Sequence, residues 1–173
     1  MFASYLSTII ARDVRTLRRE VEAYPDDASL WLTLPTIPNA AGTLVLHLSG
    51  NLQYFVGAQL GGNGYVRDRE AEFARRDVPR SELLSHVDAA LQAVTTTLSR
   101  LSDADLDATY PIPFANARVK TADMLIHLAT HLTYHLGQID YHRRAVAGDS
   151  RSVNAVSPAE MQSAVSESLG NGA

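Results

Sequence analysis

Apolar residues recur at helical spacing in four long stretches of the chain. Residues 2–24 place Phe2, Leu6, Ile9, Ile10, Leu17, Val21 and Tyr24 on one side, and Pro25 closes the stretch. A connector broken by Pro35 and Pro38 follows. Asn39 is the expected N-cap of a second helix, which runs to about Leu60. It is apolar on most sides, the pattern of a helix packed among several others. Gly50 and Gly57 lie seven apart on it. A glycine inside a helix costs about 1 kcal/mol relative to alanine, so close approach of a neighbouring helix is the expected compensation. GGNG at 61–64 ends this helix. Pro79 and Ser81 open a third, to about Leu101, with a stripe of Leu84, Val87, Leu91, Val94, Leu98 and Leu101. Thr121 is the expected cap of a fourth, from about 122 to 147, with Asp123 in its positive first turn and Gly148 at its end. SPAEMQSAVSESL at 157–169 predicts a short fifth helix capped by Ser157, and the final GNGA is expected to fray.

Strand signals are weak throughout. Residues 65–79, heavily charged, and 102–119, with Pro111 and Pro113, form long connections. The expected fold is all-α: a four-helix bundle over residues 1–148, with 149–173 as a short extra C-terminal helix and tail of the same domain.

The totals narrow the function classes. A chain of 173 residues fits one domain and can bury a core without disulfides or a structural metal. The net charge of −4 disfavours a nucleic-acid binder, which needs a basic face to neutralise phosphates. Arg15, Arg18, Arg19, Arg143 and Arg144 read as solvated helix faces. With no cysteine, the chain has no disulfide, no thiolate ligand and no cysteine nucleophile, so any thiol in its chemistry arrives on a small molecule. No secretory signal and no eighteen-residue apolar run is found, so the expected location is the cytoplasm, away from membranes.

Four of the six histidines fall within HLATHLTYHLGQIDYH at 127–142, and His127, His131 and His135 step by four. Residues four apart share one helix face, so either neighbouring pair can bring ring nitrogens to one divalent ion. Each step of four drifts by roughly 40°, so one ion does not easily take all three. His47 lies in the middle of an apolar helix, where a histidine needs a polar partner. His47 plus one such pair gives three nitrogen ligands and an open fourth position, the pattern of a catalytic zinc-type site. The zincin motif is absent because HLATH lacks the glutamate of HExxH. Neither Glu-x-x-His copy of a di-iron bundle is present, and no nucleophile elbow supports a serine hydrolase. His86 reads as surface, and His142, a heptad beyond His135, lies near the same face.

HLSGNLQYFVG at 47–57, GYVRDREAEF at 64–73 and HLTYHLGQ at 131–138, in this order, resemble the DinB/YfiT superfamily. The likeness covers most of residues 1–148, and HxxxHxGQ is its most specific piece. It implies an up-down-down-up bundle with a three-histidine metal site, one ligand from the second helix and two from the fourth. Carried onto this chain, the ligands are His47, His131 and His135, and His127 becomes a supporting residue. Relatives in that superfamily include thiol-dependent S-transferases, and the resemblance also makes a homodimer the expected assembly.

The reaction expected is transfer of a low-molecular-weight thiol to an electrophilic small molecule, helped by a zinc or nickel ion that makes the thiol a thiolate near neutral pH. The alternatives are a metal-dependent hydrolase using bound water and a non-catalytic metal-binding bundle. Gln138, Asn51 and Tyr134 are candidates for orienting ligands or lining a pocket. Arg69 and Glu72, in the charged connection, read as a salt-bridged surface.

Overall fold

The computed structural model describes residues 2–165. Among these residues the chain is all-helical, with isolated bridges at Thr109–Lys120 and Phe114–Ala117 in place of strands. Four helices are long: α1 (Phe2–Glu22), α2 (Ala41–Leu52), α4 (Arg80–Leu98) and α6 (Thr121–Ala147). Two are short, α3 (Arg69–Ala74) and α5 (Asp103–Asp107), and both fall in stretches whose composition predicts loops. Local polar chemistry makes them. The Asp68 carboxylate accepts from the Ala71 N–H at the start of α3, and Ser102 and Asp105 form a reciprocal capping box on α5. Helix α2 continues into a π-helical segment, Gln53–Ala58, so the second apolar stretch stays helical nearly as far as its sequence predicts.

Helices α1 and α2 each pack against both α4 and α6, and α3 lies on α2. The core between them is aliphatic: Ile10 and Val14 from α1, Val45 and Leu48 from α2, Leu83 and Val87 from α4, Leu125 and Leu132 from α6, all fully buried. Each such side chain contributes about 1.5–3 kcal/mol on leaving water. On α4 Leu83, Val87 and Val94 are fully buried, while Leu84 and Leu91, and Leu101 past the helix end, pack at the edge. Phe2 and Ile9 of α1, placed inside by periodicity, stay 49% and 38% exposed beside Ile126.

The expected caps differ. Ala40 precedes α2 and Lys120 precedes α6, and neither end has a side-chain cap. The Thr121 hydroxyl instead donates to the Ala108 carbonyl, tying the connection back to the helix start. Gly148 closes α6 in the left-handed conformation, as its position predicts. The fifth helix does not form within the described residues. Only one 3-10 turn, Pro158–Glu160, follows Ser157, and no helix runs from 161 to 165. The remainder of that stretch and the GNGA tail lie outside the described residues.

One buried ion pair locks α1 to α6. Arg143 donates to Glu20 at 2.5 Å and to Asp140 at 3.0 Å, and neither Arg143 nor Glu20 reaches solvent. Arg143 is therefore core, not the solvated helix face its neighbours suggest.

Candidate metal centre

His47 stands near the middle of α2 and is buried. His131 and His135 stand one turn apart on α6, facing it. One ring nitrogen from each of the three lies within 4.8 Å of the others. The His47 and His131 Nε2 atoms are 3.3 Å apart. Two nitrogens bound at about 2.0–2.1 Å to one tetrahedral ion are separated by roughly this distance. The three nitrogens are thus close enough together to hold one metal ion.

The far side of His47 explains its orientation. Glu72 of α3 is buried, and its Oε2 lies 3.1 Å from His47 Nδ1. Arg67 grips the same carboxylate with both arms, Nε to Oε1 and Nη2 to Oε2, each at 2.7 Å. Burial alone would push the Glu72 carboxyl up, but the Arg67 and His47 hydrogen bonds outweigh it and hold the group below the usual carboxylate range. An ionised carboxylate only accepts, so the Glu72 contact takes a proton from His47 Nδ1, with Arg67 Nη2 3.3 Å from the same nitrogen, and His47 Nε2 faces His131. A partner that fixes the ring tautomer in this way is what a metal-ligating histidine needs.

His135 is held similarly from its own helix. Its Nδ1 donates to Gln138 Oε1 at 2.6 Å, which frees Nε2. His131 has less support, because its Nδ1 is buried without a hydrogen-bond partner. Burial first, then the nearby histidines and Arg67, push His131 down to about 4. Burial and His47 also lower His135, against the raising effect of Gln138. Neutral imidazole is the form that binds metal.

Aromatic rings close the surroundings. Phe73 packs on the His47 ring at 4.9 Å, and Arg69 lies over the Phe73 ring at 5.0 Å. Arg67 lies over Phe55, whose carbonyl accepts from the buried Tyr110 hydroxyl at 2.6 Å. His127 is exposed and stacks on His131, with Phe114 beside it, outside the three-histidine group. Tyr134 is also exposed, its ring against His135. A cleft of about 660 Å³ opens beside His135 and Gln138.

Other residues singled out from sequence lie elsewhere. Asn51 is buried one turn past His47, but no hydrogen bond joins it to the three histidines. His142 is fully engaged, with Nδ1 on the Tyr24 hydroxyl at 2.8 Å and Nε2 on the Leu32 carbonyl at 2.9 Å. His86 is half-buried beside Glu82 on α4. Arg69 remains on the surface as read, but Glu72 does not, and Arg67 is a contributor that the sequence reading missed. The signal was Gly50. A Cβ there would stand 2.1 Å from Glu72 Oε1, so this glycine makes room for the carboxylate and not for a bundle helix. Gly57 accommodates the Asn63 side chain and Ala93 of α4.

No curated protein and no solved structure matches the chain. The family model described as "Protein of unknown function (DUF1572)" matches residues 2–159. With nearly its whole length matched, the chain belongs to the DUF1572 family.

Proposed function

We propose that the chain is a metal-dependent enzyme that transfers a low-molecular-weight thiol to an electrophilic small molecule, with His47, His131 and His135 holding a zinc or nickel ion. The observation that carries this reading is the convergence of three imidazoles, two of them with oxygen acceptors on their far nitrogens. Such an ion supplies the positive charge that turns a thiol into a thiolate near neutral pH. Overall, the thiol sulfur forms a bond to an electrophilic carbon, the leaving group departs with the electrons of the broken bond, and the thiol proton passes to solvent.

The thiol reading is favoured over hydrolysis by the state of Glu72. Hydrolysis is served by a free carboxylate as general base. Both Glu72 oxygens are occupied by Arg67 and His47, and no other acidic side chain joins the histidine group among the described residues. Thiol transfer needs only a depressed thiol pKa and room for two small molecules, and the adjoining cleft offers that room.

The packing of α1 and α2 on both α4 and α6 supports an up-down-down-up four-helix bundle of DinB/YfiT type. Exposed Phe2, Tyr5, Ile9 and Ile126 support a homodimer through the α1–α6 face. Among the described residues no helix is long and apolar enough to cross a membrane.

The test is metal content by plasma mass spectrometry on protein purified without a metal-binding tag. About one ion per chain is expected, lost in His47→Ala, His131→Ala and His135→Ala and kept in His86→Ala. A chain that stays metal-free after incubation with zinc or nickel would sink the proposal. Thiol-dependent turnover of an electrophile panel then separates transferase from hydrolase.

A further inference from the structure

The cleft beside His135 has a chemistry of its own. Its floor is the first turn of α2, with Ala41 and Leu44. One wall is a stripe of α6 that runs from Tyr134 and His135 through Gln138 and Tyr141 to Ala145. The other wall is the connector before α2. There the Ile37 N–H donates to the Leu34 carbonyl at 3.0 Å, closing a turn over Pro35 and Thr36. Thr36 sits at φ 66°, where a β-branched residue is strained, and this turn sets Ile37 against the cleft. Backbone strain of this kind gathers at ligand-holding walls.

The volume of about 660 Å³ is that of a small-molecule site. No Asp, Glu, Lys or Arg lines it among the described residues. His142 is engaged by Tyr24 and Leu32 and the Gln138 carbonyl by His135, and the remaining polar groups, on Thr36, Asn39 and the two tyrosines, are uncharged. An anion entering here would lose water and meet no cationic side chain along the cleft walls. Tyr134 and Tyr141, by contrast, are 65% and 78% exposed and present flat ring surface. Aromatic pairs gain energy beyond simple area burial.

The geometry points to this cleft as the binding site for an uncharged aromatic electrophile, the co-substrate of the proposed thiol transfer. The assignment rests on that reading only for which end of the ligand reacts. His135 and Gln138 belong to both the histidine group and the cleft wall, so a ligand seated there ends beside the histidines.

The experiment titrates the full chain with two fluorophores of one skeleton, neutral phenylnaphthylamine and its sulfonated counterpart, anilinonaphthalene sulfonate. The neutral probe is expected to bind at least tenfold tighter. Ala145→Trp, at an exposed position on the cleft wall, is expected to weaken it at least tenfold, while Ile126→Ser, in the α1–α6 groove, leaves it unchanged. Ile37→Lys is expected to shift the preference toward the sulfonate. Equal affinities for the two probes, or neutral-probe binding that Ala145→Trp spares and Ile126→Ser removes, would overturn the assignment. Zinc binding is measured calorimetrically on the same samples. Its absence would defeat the metal reading alone, because probe binding to the cleft does not depend on an ion.

Discussion

Replacing Glu72 with glutamine tests whether the charged connection builds the metal centre. The side chain keeps its shape and an oxygen that can accept from His47 Nδ1, but it loses its charge. Arg67 then keeps at most one good acceptor where it now has two at 2.7 Å, and its guanidinium stays largely buried, at 10% exposure. Removing one partner of a buried pair costs about 3–5 kcal/mol when a full charge is stranded. The retained amide oxygen lowers this to about 1–3 kcal/mol, the cost of a buried group left short of a hydrogen bond. Metal affinity should fall separately, because loss of a group that orients a ligand typically weakens binding about 10–100-fold. The assays are urea unfolding in chelator and zinc competition against a chromophoric chelator. Gly50→Ala is the companion variant. Its new methyl group occupies the place of Glu72 Oε1 and must displace the carboxylate, although alanine itself favours the helix by about 1 kcal/mol. Both variants should bind zinc more weakly than the native chain. Native zinc affinity in both would refute the claim that Glu72 orients His47 for binding.

Three further outcomes follow from the same contacts. His131 is pushed from 6.5 to about 4, so its neutral form is favoured by folding, and the stability this confers is present above pH 6.5 and lost as pH falls toward 4. Chelator-treated native protein should therefore lose about 2–3 kcal/mol more than His131→Gln between pH 7 and 4.5, read from urea melts, and equal losses would contradict it. Arg143→Met should cost about 3–5 kcal/mol by stranding Glu20 in the core, and adding Glu20→Leu should recover most of it; a single variant as stable as the native chain would argue against the ion pair as a lock. If the α1–α6 face holds two copies together, Ile9→Asp with Ile126→Asp should halve the mass seen by sedimentation while leaving helix content unchanged, whereas a native chain that sediments as a monomer would remove the homodimer.

What was legible in the sequence depended on chain distance. The extent of α6 and the placing of His127, His131 and His135 along one face follow from spacing within one helix, but two neighbouring pairs fit that spacing equally, and the choice of His131 with His135 came from the family resemblance. His47 could be singled out because a histidine amid LVLHL needs a partner, but its partner lies 25 residues away, in a stretch of alternating charge that resembles ordinary solvated surface. Composition could not show that α3 folds back onto α2 and buries Glu72. Nor could it separate Arg143, which is core, from the neighbouring Arg144, since either is acceptable on a helix and only the position of Glu20 on α1 decides. The short helices α3 and α5 were missed because they are built by caps at Asp68 and Ser102 and have no apolar stripe long enough to read.

The glycine pattern shows where sequence reading could have gone further. Gly50 is a point of close approach, as a glycine inside a helix predicts, but what approaches is the Glu72 side chain and not a neighbouring bundle helix. A helix backbone needs a row of small residues to come near, and Gly50 and Gly57 lie seven apart with Asn51, Leu52, Gln53, Tyr54, Phe55 and Val56 between them. A single glycine admits a single side chain. One turn from a buried histidine, the side chain worth admitting is one that accepts the imidazole proton, which is a carboxylate. Glu72, the second of the two glutamates that follow Arg67 within RDREAE, meets that requirement, and Arg67 neutralises the charge that burial would otherwise make costly. The histidine, the glycine and the arginine–glutamate pair are thus one device distributed over 26 residues, and each of its four parts is chemically incomplete without the others.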